Sequence, residues 1–149
     1  MKTALKPSTD PLNILLVEDN PGDAFLIRQM LEHCRRSVRI GLCQDGAEAI
    51  SYLHRESFYE NAPRPDLILL DLDLPRVDGW QVLNQVKENL QLQTIPVVLL
   101  SGSISDMDLH RSCFSLANDF IRKPEDWDHL DIFLKYLESK WIDPFPVGG

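Results

Sequence analysis

Cysteine is scarce in this chain: Cys34, Cys43 and Cys113 are an odd number at wide spacings, which excludes a disulfide framework and suits reduced core residues of a cytoplasmic protein. The four histidines, His33, His54, His110 and His129, stand at no metal-ligand spacing to one another or to cysteine, so a zinc site is not expected. Positive charge is also short. Lys and Arg total 15 against 23 Asp and Glu, a net charge of −8, and no basic run exceeds Arg35-Arg36. Nucleic-acid binding needs clustered cations and is not expected here. No apolar run approaches the roughly 20 residues of a membrane span. Residues 1–11 hold two lysines but no apolar segment, so they do not read as a secretory signal. There is no internal repeat and no low-complexity segment. The length of 149 residues suits one domain with a sizeable core, expected over residues 12–142, with tails at 1–11 and 143–149.

What is present is a five-fold alternation of apolar runs and helical patterns. Ile14-Leu15-Leu16-Val17 predicts a first strand, and residues 21–34 a helix with Ala24, Ile27, Leu31 and Cys34 on one face. Val38, Ile40 and Leu42 alternate with other residues, as in a strand near a sheet edge. Residues 46–54 predict a short helix with Ile50 and Leu53 inward. The run Leu67-Ile68-Leu69-Leu70 predicts a buried parallel strand ending at Asp71. A third helix is predicted over 80–90 with Val82, Leu83, Val86 and Leu90 in one stripe, then a strand over 96–100. Ser105 is the expected N-cap of a fourth helix reaching residue 117. Asp119-Phe120-Ile121 is a short fifth strand, and a closing helix is predicted over 126–141. Strict alternation of this kind predicts an α/β fold, a flavodoxin-like doubly wound parallel sheet with strand order 2-1-3-4-5.

The chemistry-bearing residues follow the strands. Glu18 and Asp19 come after the first, Asp71 after the third with Asp73 and Asp78 beyond, Ser101 after the fourth, and Lys123 after the fifth. A doubly wound sheet gathers all these positions at its carboxyl edge. At about 4 Å and an effective dielectric near 20, each pair of like-charged carboxylates costs about 4 kcal/mol, so such a cluster calls for a cation. Oxygen ligands of this type suit Mg²⁺, and a metal plus a lysine is the arrangement that neutralises a phosphoryl group in transfer. Asp71 is then the candidate nucleophile, forming an aspartyl phosphate.

These residues resemble the receiver domain of bacterial two-component response regulators. The resemblance rests on Leu16-Val17-Glu18-Asp19-Asn20, Leu70-Asp71-Leu72-Asp73-Leu74-Pro75 with Asp78-Gly79, Leu100-Ser101-Gly102, and Phe120-Ile121-Arg122-Lys123-Pro124, four motifs in order over residues 14–141. It implies that Asp71 accepts a phosphoryl group from a histidine kinase. It implies that Asp19 and Asp71 bind Mg²⁺ (or Mn²⁺) directly, with the backbone carbonyl of Asp73, while Glu18 acts through water. Ser101 would hydrogen-bond the phosphoryl group, Lys123 would pair with it, and Phe120 would be the aromatic switch. The Lys123-Pro124 bond resembles the family's cis peptide. The run from Val17 to Asp23 (Val-Glu-Asp-Asn-Pro-Gly-Asp) is similar to single-domain regulators that partner cyanobacterial and bacterial phytochromes. That similarity implies a phytochrome-type kinase and a homodimer through the fourth helix, fifth strand and fifth helix. The expected role is a switch acting on a downstream protein or phosphotransfer partner, with no catalysis beyond its own phosphorylation and dephosphorylation. No stretch past Trp141 is long enough for an output element, so the signal is expected to pass by contact.

Three departures bear on this. Asp73 places a carboxylate where a neutral residue is often found, Phe120 lacks the commoner tyrosine hydroxyl, and Arg122 adds a charge beside Lys123. On the closing helix, Leu130, Phe133, Leu134, Leu137 and Trp141 form the core stripe; Ile132 and Tyr136 lie off it, as does Phe114 on the fourth helix. These three residues are either scattered surface apolars or an interface. Taken singly, Glu18-Asp19 is also an acidic pair suited to a helix N-terminus, Asp71 a turn aspartate, and Asp78-Gly79 a structural turn. Convergence at one edge favours the site. Rival readings are an aspartyl-phosphate hydrolase of the haloacid dehalogenase type, in which Asp73 is the acid-base residue, and a phosphorelay intermediate. Against the hydrolase, its motif opens the chain and its metal acids come last, whereas here Glu18-Asp19 come first. A flavin carrier needs a phosphate-cradling loop after the first strand, and that loop is acidic here.

Overall fold

The computed structural model describes residues 10–72, 74, 77–102, 116–123 and 130–144. Its strands are β1 (Leu12–Val17), β2 (Val38–Cys43), β3 (Leu67–Asp71), β4 (Val97–Ser101) and β5 (Asp119–Arg122), all parallel in one sheet of order β2-β1-β3-β4-β5. This is the doubly wound, flavodoxin-like arrangement that the alternating pattern predicts. The helices are α1 (Pro21–Leu31), α2 (Gly46–Leu53), α3 (Gly79–Glu88) and a closing helix (Leu130–Leu137) that widens into one π-helical turn over Glu138–Ile142. No helix among the described residues is long and apolar enough to cross a membrane.

Strand parity explains the two core layers. In a strand, successive side chains point to opposite faces. Leu15, Val17, Ile68, Leu70, Val97 and Leu99 accordingly face α2 and α3, while Leu12, Ile14, Leu16, Leu67, Leu69, Val98 and Leu100 face α1 and the closing helix. Burial on both faces is why β1, β3 and β4 read as unbroken apolar runs. The edge strand β2 is only half-buried and alternates instead.

Three local expectations shift, each for a visible reason. The first helix stops at Leu31, short of Cys34: the Arg35 amide that would extend the ladder donates to Glu138 Oε2 at 2.7 Å, and His33 and Cys34 close with tighter i→i+3 bonds. On α2 the inward residues are Ala49, Tyr52 and Leu53, with Ile50 only half-buried. The face turns because Tyr52 fills the space over Gly41, where any Cβ would strike its ring. On α3 the Asp78/Gln81 capping box starts the helix, and it ends at Glu88 because the Asn89 side chain accepts from the Gln91 and Leu92 amides at 2.8 and 3.2 Å. Leu90 therefore falls in a turn, 83 % exposed, and Leu92 takes the buried place.

Cys43 is buried and Cys34 half-buried, both free thiols; burial pushes each up to about 12. Cys113, the fourth helix predicted over 105–117 (but for its last two residues) and the start of the predicted closing helix at 126–129 lie outside the described residues.

Candidate functional site

Strand register assembles the site. β1 pairs with β3 so that Val17 lies opposite Leu70, which sets the next residues, Glu18 and Asp71, side by side. Asp71 lies opposite Leu100, and Ser101 opposite Arg122. The Lys123 amide then donates to the Ser101 carbonyl at 2.7 Å, extending the β4–β5 ladder by one residue. The loop after β1 is fixed by Asn20, whose Oδ1 accepts from the Asp23 amide at 3.0 Å, and by Pro21 at the first helical position. Glu18, Asp71, Ser101 and Lys123 thus meet at one edge.

Glu18, Asp71 and Ser101 are buried, at 1 %, 3 % and 0 % exposure, whereas Asp19 is exposed. Buried carboxylates need a counter-charge, and Lys123 supplies it. Its Nζ stands 2.5 Å from Glu18 Oε1, 3.1 Å from Asp71 Oδ2 and 3.3 Å from Asp23 Oδ2. The Glu18 contact is a close ion pair, and those to Asp71 and Asp23 are ion pairs that are also hydrogen bonds donated by the ammonium. Burial, then the neighbouring Asp71, raises Glu18 to about 8 even with the ammonium beside it. Burial alone would lower Lys123, but the Glu18 and Asp71 carboxylates override it and hold the ammonium firmly protonated. One cation is therefore shared among more negative charge than it can balance.

Oxygens of Glu18, Asp19 and Asp71 lie within 4.8 Å of one another. This is an all-oxygen, carboxylate donor set with one solvent-facing member, which fits a hard divalent cation and not a thiophilic one. The Asp73 carbonyl, the Lys123-Pro124 bond and Phe114 lie outside the described residues. Phe120 sits in mid-β5 opposite Leu99, half-buried against the core layer that holds Leu70.

Two features were not singled out as part of the site in the sequence. Asp23 reaches Lys123 from the first turn of α1; its signal was the Asn20-Pro21 helix start three residues earlier. Gly79, read as a turn residue, lies so close to the Asp71 backbone that an added Cβ would meet the Asp71 carbonyl oxygen at 2.5 Å and Leu72 Cα at 2.8 Å. A glycine there lets α3 begin directly behind the candidate acceptor.

The response regulator receiver domain family matches residues 14–135. The response regulator Rcp1 of Synechocystis sp. is 37 % identical over 136 residues, spanning 91 % of this chain and 92 % of its own length. Among solved structures, the Mn²⁺-bound form of Rcp1 superposes with a TM-score of 0.83 at 35 % identity, covering 93 % of this chain and 100 % of that one. The phosphorylated cyanobacterial phytochrome response regulator RcpA also gives 0.83, at 39 % identity, covering 94 % of this chain and 100 % of that one.

Proposed function

This chain belongs to the response regulator receiver domain family, and from that membership we propose that Asp71 is its phosphoacceptor. It is a receiver-domain response regulator similar to Rcp1 and RcpA; receiver domains take their phosphoryl groups from histidine kinases. The observation that carries the assignment is the buried Asp71 carboxylate beside Glu18, with the Lys123 ammonium 3.1 Å from its Oδ2. The hydrolase reading is not favoured by any of the relatives.

An Asp71 oxygen attacks the phosphorus of a phosphohistidine on the kinase. The P–N bond breaks, the imidazole leaves with its electron pair, and a mixed anhydride remains on Asp71. Lys123, already protonated, transfers one of its contacts from a carboxylate to the new phosphoryl oxygens. The Ser101 hydroxyl donates to the same group, and because Phe120 lies on the neighbouring strand, movement of Ser101 is relayed to its half-buried ring. Asp19 and Asp71, the Asp73 carbonyl and, through water, Glu18 would hold Mg²⁺ (or Mn²⁺). When bound, the ion supplies positive charge against the carboxylates and the incoming phosphoryl oxygens. Catalysis ends there, with self-phosphorylation and slow self-hydrolysis, whose rate the extra carboxylate of Asp73 modulates.

The kinase partner is of the phytochrome type, a reading supported by the likeness to RcpA, and the exchange takes place in the cytoplasm. A homodimer forms through β5, the closing helix and the fourth helix expected from the sequence over residues 105–117, most of which lies outside the described residues. Its support is Ile132, 62 % exposed, and Tyr136, 38 % exposed, on the outer face of the closing helix. Ile132→Glu with Tyr136→Glu should then halve the mass seen by light scattering at high concentration; an unchanged mass refutes the dimer.

The acceptor is tested by intact-mass spectrometry after incubation with a small phosphoryl donor and Mg²⁺. Wild type gains one phosphoryl adduct, stable in acid and labile in base, and Asp71→Asn gains none. An equal adduct on Asp71→Asn would overturn the assignment.

A further inference from the structure

We propose that the opposite end of the sheet carries a second recognition site, which takes an acidic, apolar-containing peptide segment of a partner protein. A cavity of about 480 Å³ opens there between the end of α2, the segment before β3 and the α3–β4 turn. That is a size able to hold one or two side chains. It lies about 20 Å from Asp71, counting from Pro65 along β3 at about 3.3 Å per residue, and shares no lining residue with the phosphoacceptor site.

Its charge runs against that of the whole molecule. The chain is net −8, yet the cavity is lined by His54, Arg55 and Arg64 and by no carboxylate. Arg64 is held in place by hydrogen bonds from Nη1 to the Gln91 carbonyl at 2.7 Å and from Nη2 to Thr94 Oγ1 at 3.0 Å, neutral partners that fix the guanidinium without cancelling its charge. Pro63 and Pro65 stiffen the backbone on either side of it. The nearby Asp66 accepts from the Asn13 amide at 2.8 Å, toward β1. Neither Arg55 nor His54 has an ion pair among the described residues.

The backbone at Arg55 makes the same point. Here α2 closes with the Arg55 amide on the Tyr52 carbonyl and the Glu56 amide on the Ser51 carbonyl, with Arg55 left-handed at φ 56°. Glycine is the usual occupant of that position. An arginine there is strained, a local penalty that sets a cation at the mouth of the cavity. Ser57 is left-handed as well, at φ 54°, and the short turn that follows presents Phe58 at 99 % exposure. Leu90, 83 % exposed, stands between two of the lining residues, Asn89 and Gln91. Cations contributed by two segments, with the exposed Phe58 and Leu90 close in sequence to residues that line the cavity, suit a peptide of alternating acidic and apolar residues better than a small anion, which has nothing apolar to offer such side chains.

The test is an amide-shift titration by two-dimensional NMR of the full chain with a six-residue peptide of alternating glutamate and leucine. A lysine/leucine peptide and inorganic phosphate at matched concentration serve as comparators. The expected result is saturable shifts at residues 52–55, 64 and 89–92 with the acidic peptide alone. Affinity should fall about tenfold in Arg55→Glu, the scale of one reversed rim charge. Arg55 makes no side-chain bond among the described residues, so that variant should keep the wild-type thermal midpoint. The proposal is overturned if shifts are absent or scattered, if they persist undiminished in Arg55→Glu, or if phosphate alone reproduces them. Asp71→Asn should bind the peptide as wild type does, so failure here is separable from failure of the phosphoacceptor assignment.

Discussion

Replacing Lys123 by methionine tests the electrostatic account of the site directly. The Lys123 side chain is 11 % exposed and contacts Glu18 and Asp71, whose side chains are 0 % and 4 % exposed. A unit-charge pair at the Lys123–Asp71 separation of 3.1 Å is worth about 5 kcal/mol at an effective dielectric of 20. The desolvation of the ammonium offsets part of this, and removing one partner of a buried ion pair costs about 3–5 kcal/mol in practice. In EDTA-treated protein, Lys123→Met should therefore lose about 3 kcal/mol, or about 1.5 M in urea midpoint for a chain of this size. Asp71→Asn should cost clearly less than Lys123→Met, because Glu18, no longer raised by the neighbouring carboxylate, ionises more readily and keeps the ammonium paired. The double variant should show coupling of about 1–2 kcal/mol. Millimolar Mg²⁺ should restore more stability to Lys123→Met than to wild type, since the carboxylates left without the ammonium then regain a counter-charge. A Lys123→Met midpoint within about 0.2 M of wild type in metal-free buffer would refute the reasoning, for it would mean that the carboxylates need no cation.

Three further outcomes follow from other parts of the fold. Gly79→Ala puts a methyl against the Asp71 carbonyl and should cost about 2 kcal/mol, lowering the thermal midpoint by about 6 °C and slowing phosphoryl uptake in the mass assay; unchanged values would show that α3 can shift freely. Burial would raise the Asp119 carboxyl, but hydrogen bonds from the Tyr136 hydroxyl, the Trp141 indole, the Phe120 amide and Lys140 hold it below the usual carboxylate range. Its contribution is complete above the unfolded value near 4 and is lost as pH falls through the lower folded value, so the stability gap of about 1–2 kcal/mol between wild type and Asp119→Asn should narrow progressively as pH is taken below about 4 in chemical denaturation. Leu90→Gln, in the turn after α3, should leave stability within about 0.5 kcal/mol of wild type, whereas Leu83→Ala, at a fully buried site within α3, should cost about 3 kcal/mol.

The contrast between Leu90 and Leu83 shows what periodicity can and cannot deliver. The α/β alternation and the strand order are legible because a strand buried on both faces has to be apolar throughout, as Leu67 to Leu70 are. Helix interiors are legible for the same reason: Val82, Leu83 and Val86 repeat at helical spacing and are buried. Helix ends are not, because they are decided by groups distant in sequence or by side-chain turns. Glu138 captures the Arg35 amide from more than a hundred residues away, and the Asn89 side chain ends α3 before the hydrophobic stripe does. Which α2 residues face inward depended on an empty space over Gly41 that only the packed structure reveals.

The site was more legible than these ends because its members occupy the one place in the fold where sequence position alone specifies spatial position. A residue just past a parallel strand must lie at the carboxyl edge of the sheet, so Glu18, Asp71, Ser101 and Lys123 could be placed there from the strands alone. Asp23 could not, because it is delivered by a helix, and whether its carboxylate faces the edge depends on the exact start of that helix. Asn20 and Pro21 fix that start, and with it the 3.3 Å contact to Lys123. Asp23 therefore depends on the cap while the strand-end residues do not. Asn20→Ala should loosen the Asp23–Lys123 contact and leave the Glu18 and Asp71 contacts in place. Measured through Lys123, Asp23→Asn should then add less than about 0.5 kcal/mol to the loss in Asn20→Ala; full additivity would show that the cap does not position Asp23.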